Sequence, residues 1–583
     1  MFKLFKYLNW KEWIILIITL AVVAGQVWCN ISIPKCTLEI SQYFNMPDIS
    51  EYWQEIVISC LEMLGYALGV VLCAILAHFL SSYVVSNLLA KVRSDVFKRV
   101  NDFSASEINK FSIPSLITRS TNDITQLQQV LTMTITMGLQ APLTAILAII
   151  NIVDLSSTNS SWQLSLVNII SVIAISIVVF IIIFAVVPKF KKIQRATDGL
   201  NLVTRENLTG LKVVRAYSAE KTQEEKFEKV NKAYSKLSIF VNRVLAIIEP
   251  SLSFIMQGTS LAIVWLIGFL AQQNPEIIFA TQTYTQYSIF LIMSFTSLSV
   301  LFMFVPRGIV SGRRINQILD TKTSLADGEG KSPTEKGTIV FRNVYFRYPD
   351  SDADVLENIN FEVKQGQTIA FIGSTGSGKS TLINLIPRFY DCSEGEILIN
   401  GVNVKDYTQH QLHDLIGYVP QKGILFSGSV KDNIKYGNEN ATDEEVAKAI
   451  DVSQSNFVYS FPEGLDYQIS QGGKNVSGGQ KQRLSIARAI IKNPDILIFD
   501  DSFSALDYKT DKIVREKLSE TYKDTTKVIV AQRIGTIMNA DIIVVLNEGK
   551  IVGIGKHEEL LSSCDVYKEI ALSQLSKEEL ENA

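Results

Sequence analysis

The residues Gly373-Ser374-Thr375-Gly376-Ser377-Gly378-Lys379-Ser380-Thr381 have the types and spacing of a phosphate cradle. They follow the pattern G-x-x-x-x-G-K-[ST], in which glycines let the backbone curl and turn its N–H groups inward towards anionic oxygens. Lys379 offers a point charge to terminal phosphates and Ser380 a hydroxyl to Mg²⁺, while Thr381 continues a helix start that itself favours anions. Further along, Ile496-Leu497-Ile498-Phe499-Asp500 reads as a buried strand ending in a carboxylate. In a P-loop domain such a carboxylate orients Mg²⁺ through water. The chemistry implied is nucleotide binding with Mg²⁺.

A cradle of this kind has to sit between a strand and a helix. The apolar run Thr368 to Ile372 supplies the strand, and Leu382-Ile383-Asn384-Leu385-Ile386 continues the helix. From Thr338 to about residue 571 strand and helix patterns alternate, the signature of an α/β domain. At 583 residues the chain is too long for one core, given about 150 residues per domain. Apolar residues make up 47% of it, and their excess lies before about residue 310. There, apolar runs at about Trp13–Cys29, Ile56–Leu89, Val130–Val153, Leu164–Val187, Val244–Ala271 and Ser288–Val305 can each cross ~30 Å of hydrocarbon with ~20 residues. Six spans result, which excludes a soluble ATPase.

Basic residues cluster between spans two and three (Lys91, Arg93, Lys98, Arg99, Lys110, Arg119) and between four and five, whereas the opposite loops hold only Lys35. The positive-inside rule then places both termini in the cytoplasm. Phe2 to Leu8 alternates apolar residues with lysines and suits a short interfacial helix. The two long cytoplasmic connections keep helical periodicity and break near Phe111–Leu116 and Leu208–Tyr217. Glu62 and Glu249 are ionisable groups inside apolar helices, a costly placement that marks them as candidates for a substrate cavity, with a structural or snorkelling role as the alternative. The division expected is a transmembrane domain over 1–320, a linker over 321–337, an α/β domain over 338–571 and a charged tail over 572–583. The six cysteines lack a C-x-x-C pair, so neither a zinc site nor a disulfide framework is indicated. A net charge of −3 argues neither for nor against nucleic acid, and no nucleic-acid partner is expected.

Asn475-Val476-Ser477-Gly478-Gly479-Gln480-Lys481-Gln482-Arg483 lies between the cradle and Asp500, and here the chain resembles the ATP-binding cassette (ABC) family through its signature Ser477-Gly478-Gly479-Gln480. Tyr348 stands where the family has its adenine-stacking aromatic, Gln421 in Val419-Pro420-Gln421 matches the Q-loop, and Ser504-Ala505-Leu506-Asp507 matches the D-loop. With six spans in front, the likeness is to an exporter-type half-transporter and covers nearly the whole chain. The resemblance implies a membrane helical bundle followed by an α/β P-loop domain, working as a dimer with two ATP molecules between two cassettes. ATP would be held by Tyr348, by Gly373 to Thr381 and by Gln421, and Mg²⁺ by Ser380, Gln421 and, through water, Asp500. Ser477 to Gln480 would contact ATP bound by the partner chain, and the two cytoplasmic break regions would be coupling helices.

Two positions depart from the family pattern. Asp501 stands where hydrolysing members have the Glu that polarises the attacking water, and Gln532 replaces the switch histidine. Asp is one methylene shorter, and a misplacement of about 1 Å can cost on the order of 10²-fold in rate. Gln donates a hydrogen bond but cannot shuttle a proton. Together the two changes resemble the impaired half of a heterodimeric multidrug exporter, whose partner bears the usual Glu and His. That implies membrane lipid and an amphipathic small molecule as further partners, in a bacterial plasma membrane. The alternatives are a homodimeric lipid flippase, a dedicated peptide or lipid exporter and, more remotely, an ATP-binding regulator without transport.

Overall fold

The structure is a computed structural model that describes residues 2–574 apart from 45, 47, 48, 159, 160, 273, 274 and 350. Backbone contacts gather the chain into two compact units, Met1–Asn101 with Ile113–Thr321, and Asp102–Ser112 with Lys322–Ala583.

The first unit is helical. A 3₁₀ turn, Phe2–Tyr7, leads into α1 (Trp10–Tyr43) and α2 (Trp53–Asn101). After a short α3 (Ala105–Phe111), which belongs to the second unit, come α4 (Ile113–Ser120), α5 (Asn122–Thr158), α6 (Trp162–Thr209), α7 (Leu211–Ala216), α8 (Glu220–Ala246), α9 (Ile248–Leu270) and α10 (Thr281–Asp320). Among the described residues, six helical stretches are long and apolar enough to span a membrane. Their backbone is satisfied within each helix, as hydrocarbon demands. Where α1 carries Pro34, side chains of α10 take up carbonyls around it: Thr283 Oγ1 donates to Pro34 O (3.1 Å) and Tyr287 Oη to Ile31 O (3.2 Å). Helices α5 and α10 approach closely because Gly308 lacks a Cβ, which would lie 2.7 Å from Val130 Cγ1. Near the N-terminus, Glu12 accepts from the Asn9 backbone N–H and from Lys91 Nζ, both at 2.8 Å, and so pins the start of α1 to α2.

The first break falls at Ser112, inside the expected Phe111–Leu116. Pro114, within that range, lies in the first turn of α4, where its missing N–H is no loss. The helix before the break is α3, started by a Ser104/Glu107 capping box and ended at Ser112 with φ 63°. The second break contains α7, entered at Gly210. Glu62 is exposed on α2, and Glu249 is exposed in the first turn of α9.

The second unit is built on three sheets, the smallest a two-stranded pair of Gly428–Ser429 with Gln468–Ile469. Its strands are β1 (Ile339–Phe346), β2 (Leu356–Val363), β3 (Thr368–Gly373), β4 (Glu394–Ile399), β5 (Val402–Asn403), β6 (Ile416–Val419), β7 (Gly428–Ser429), β8 (Gln468–Ile469), β9 (Ile496–Asp500), β10 (Thr526–Val530), β11 (Ile542–Asn547) and β12 (Lys550–Gly555). An antiparallel sheet of order β2-β1-β4-β5 accompanies a six-stranded sheet of order β12-β11-β3-β10-β9-β6, parallel except for β12. Every residue of β9 and β10 is buried, as strands covered on both faces require. One apolar cluster lies against each face of this sheet.

Two boundaries shift. The segment 321–337 carries no helix or strand but is fastened to this unit, with Gly328 N donating to Tyr407 O (2.9 Å) and Thr334 N to Asn400 O (3.0 Å). Residues 572–574, expected in a tail, complete the helix Asp565–Gln574, which Ala571 anchors in the core; 575–583 lie outside the described residues.

Candidate functional site

Parallel strands bring their carboxyl ends to one edge, and loops leaving that edge meet over it. The cradle Gly373–Thr381 follows β3, Gln421 follows β6, Asp500 and Asp501 close β9, and Gln532 follows β10. The register pairs Val530 with Asp500 and with Phe371, so these ends are level. In this way residues spread over more than a hundred positions converge on one site.

Within the cradle, Gly376 and Gly378 have φ of 86° and 95°, conformations that disfavour a side chain. Lys379 opens the helix Lys379–Leu385, and its Nζ donates to Gly373 O (2.8 Å), Ser374 O (2.7 Å) and Ser377 Oγ (3.2 Å). The ammonium is thus held over the loop. Burial pushes its pKa down, while Asp501 and Asp500 pull it up. Ser380 Oγ donates to Asp500 Oδ1 at 3.0 Å, which joins two hard oxygen donors. Such a pair, completed by phosphate oxygens and water, fits Mg²⁺. Burial raises the Asp500 pKa, and so does the neighbouring Asp501.

Asp501 adopts φ 46° and is buried, with its N–H on Val530 O (3.0 Å). Its Oδ2 receives Gln532 Nε2 at 2.9 Å and Gln421 Nε2 at 3.4 Å. The two residues that diverge from the family pattern therefore touch each other, and the Q-loop glutamine reaches the same carboxylate oxygen. Desolvation raises the Asp501 pKa, with the hydrogen bonds opposing it.

Tyr348 is half-buried, edge-on to Phe346 and Tyr390, and its hydroxyl lies 3.0 Å from Thr381 Oγ1. Ser477 caps the helix Gly478–Ile490: its N–H donates to Gln480 Oε1 (2.8 Å), and Gln480 N donates back to Ser477 Oγ (3.3 Å). That capping box leaves the N–H groups at the helix start directed out of it, a geometry that suits an anion.

Two residues at this edge were not singled out from the sequence. Tyr418 on β6 places its hydroxyl 3.5 Å from Asp500 Oδ2 and 3.2 Å from Asn384 Oδ1, so it steadies the Asp500 carboxylate. A hydroxyl on a strand just before Val419-Pro420-Gln421 was the available signal. Gln574 grips the loop of Gln532, donating to Gln532 O (2.7 Å) and accepting from Ile534 N (2.9 Å), and no local pattern announces it.

Residues 14–302 match the family described as "ABC transporter transmembrane region", and residues 356–504 match the family "ABC transporter". An uncharacterized ABC transporter ATP-binding protein of Mycobacterium tuberculosis is 37% identical over 519 residues, 88% of each chain. A Bacillus subtilis protein described as a probable multidrug resistance ABC transporter ATP-binding/permease protein is 32% identical, with 83% of each chain covered. The solved structure of a bacterial Atm1-family ABC exporter with ATP bound superposes with a TM-score of 0.79 at 23% identity, over 97% of this chain and 100% of that one, and so shares the fold. With a transmembrane region and an ATP-binding domain in one polypeptide, this chain belongs to the ABC transporter family as an exporter-type half-transporter.

Proposed function

We propose that this chain is the hydrolysis-impaired subunit of a heterodimeric ATP-driven exporter, and that it moves amphipathic drugs across a bacterial plasma membrane. The observation that carries this reading is the engagement of Asp501 Oδ2 by Gln532 (2.9 Å) and Gln421 (3.4 Å). A general base needs a lone pair directed at the attacking water and a route for the proton it takes. Here one carboxylate oxygen is committed to two amides, and Gln532 accepts no proton.

Binding is the task this chain keeps. The cradle N–H groups and Lys379 would hold the phosphates, Tyr348 would stack on the adenine, and Ser380, Gln421 and, through water, Asp500 would hold Mg²⁺. When bound, Mg²⁺ neutralises phosphate charge. Ser477 to Gln480 complete the competent site on a partner chain that bears Glu and His at the two divergent positions. The basic residues of the long connections support cytoplasmic termini and a cytoplasmic ATP-binding domain. Likeness to the Bacillus subtilis multidrug-type relative supports the drug assignment. Glu62 and Glu249, ionisable and exposed on membrane helices, are proposed to line the substrate path.

The test is the ATPase rate of the chain purified alone in lipid against that of the chain co-purified with such a partner. Near-silence alone and brisk turnover in the pair support the asymmetric heterodimer. An active dimer of this chain alone overturns it and favours a homodimeric exporter or flippase.

A further inference from the structure

The short helix α3 belongs to the same compact unit as the nucleotide site. It is tied there at two points. Glu107, buried, accepts from the backbone N–H of Ser324 (3.2 Å) and from Ser104 Oγ (2.6 Å), while the Ser104 and Ser324 hydroxyls lie 3.0 Å apart. The second tie is Asn109 Nδ2, which donates to Tyr390 Oη at 3.4 Å. Tyr390 meets Tyr348 edge-on, with centroids 5.2 Å apart and planes at 90°, and both rings pack on Phe346. The Tyr348 hydroxyl reaches Thr381 Oγ1 in the first turn of the cradle helix. A continuous set of contacts therefore runs Thr381, Tyr348, Tyr390, Asn109.

We propose that Tyr390 is a positioning residue through which nucleotide binding at this chain's P-loop is transmitted to α3. The proposal rests on the reading of Tyr348 and Thr381 as nucleotide contacts. The Thr381 hydroxyl has one proton and two alternative acceptors, Tyr348 and a phosphate oxygen on the cradle. A nucleotide that draws Thr381 towards phosphate, and the Tyr348 ring towards adenine, changes the edge contact on Tyr390. The Tyr390 hydroxyl then shifts on Asn109. The chain joins α3 to α2 through residues 102–104 on one side and, across Ser112, to α4 on the other, so such a shift has a covalent path into the membrane helices. A coupling of this kind needs an element with two arrangements, and the shared Thr381 hydroxyl supplies it.

The experiment is hydrogen exchange over residues 102–112 in the full chain in lipid nanodiscs, with and without MgATP, alongside ATP affinity from a direct binding titration. Tyr348→Ala should weaken ATP binding about tenfold, the scale of one base–aromatic stack. Tyr390→Phe keeps the ring and removes one neutral hydrogen bond at α3. ATP affinity should stay within about threefold while the ATP-induced change in exchange falls to about half or less. Asn109→Ala should behave like Tyr390→Phe, and Lys110→Ala, its exposed neighbour, like the wild type. If Tyr348→Ala leaves affinity unchanged, the stacking reading itself fails and takes the relay with it. If Tyr348→Ala weakens binding but Tyr390→Phe and Asn109→Ala keep the full response of α3, the relay alone is overturned.

Discussion

The two ends of the nucleotide site stand on one sheet edge and differ in what they can do. At the cradle end, glycines at positive φ, Lys379 held by loop carbonyls and Ser380 paired with Asp500 form a complete binding apparatus. At the hydrolytic end, Asp501 and Gln532 are bonded to each other, and the Q-loop glutamine shares the same oxygen. On the proposed reading, holding a nucleotide and cleaving it depend on separate side chains, even where the strands that carry them are neighbours in register. A chain can lose the second capacity and keep the first.

The largest effect should come from breaking the cradle end. Lys379→Ala removes a half-buried charge from the phosphate site and should weaken ATP binding on the order of 10²-fold, measured by titration on the full chain in lipid. The next should come from restoring the other end. Asp501→Glu with Gln532→His returns the longer carboxylate and the imidazole, and hydrolysis by the chain alone should rise on the order of 10²-fold, since positioned acid–base groups contribute on that scale. No rise would mean that the loss lies elsewhere. In the assembled pair, Asp501→Asn should leave turnover nearly unchanged while removal of the partner's corresponding carboxylate nearly stops it. Equal losses would erase the contrast between the two chains.

A pH series sharpens the same comparison. Burial raises the Asp500 pKa, so this carboxyl takes up its proton at a higher pH than an ordinary aspartate. Mg²⁺ needs the ionised form. Affinity for MgATP should therefore fall on acidification, beginning above the usual carboxylate range, whereas affinity for ATP with EDTA should fall less over that interval. The smallest effect should follow Tyr418→Phe, which removes a long hydrogen bond of 3.5 Å to Asp500 Oδ2. About a two- to threefold rise in the Mg²⁺ concentration needed for half-maximal ATP binding, with metal-free binding unchanged, would mark Tyr418 as an orienting group.

The two long interhelical connections make a second contrast of the same kind. Both were legible as breaks in helical periodicity, yet α3 is grouped with the nucleotide-binding unit and α7 with the membrane helices. What places α3 is the pair of contacts to Ser324 and Tyr390, more than two hundred residues away in sequence.

Local chemistry was enough for much of this protein. A run of ~20 apolar residues can satisfy its backbone in hydrocarbon only as a helix, so the six spans were readable without a structure. The cradle was readable because its function depends on backbone conformation, and the glycine spacing encodes that conformation directly. Asp501 and Gln532 were visible as departures from a pattern. That they bond to each other was not, because it depends on the register of β9 and β10. Gln574, Tyr418, Tyr390 and Asn109 likewise came only from the tertiary structure. Each is an ordinary polar or aromatic residue locally, and each takes its role from a partner that folding brings within about 3.5 Å. Sequence alone determined which elements form and where nucleotide chemistry sits, through periodicity and backbone geometry. Packing decided which side chains hold that chemistry in place, because contacts between distant residues are set by sheet register and helix docking.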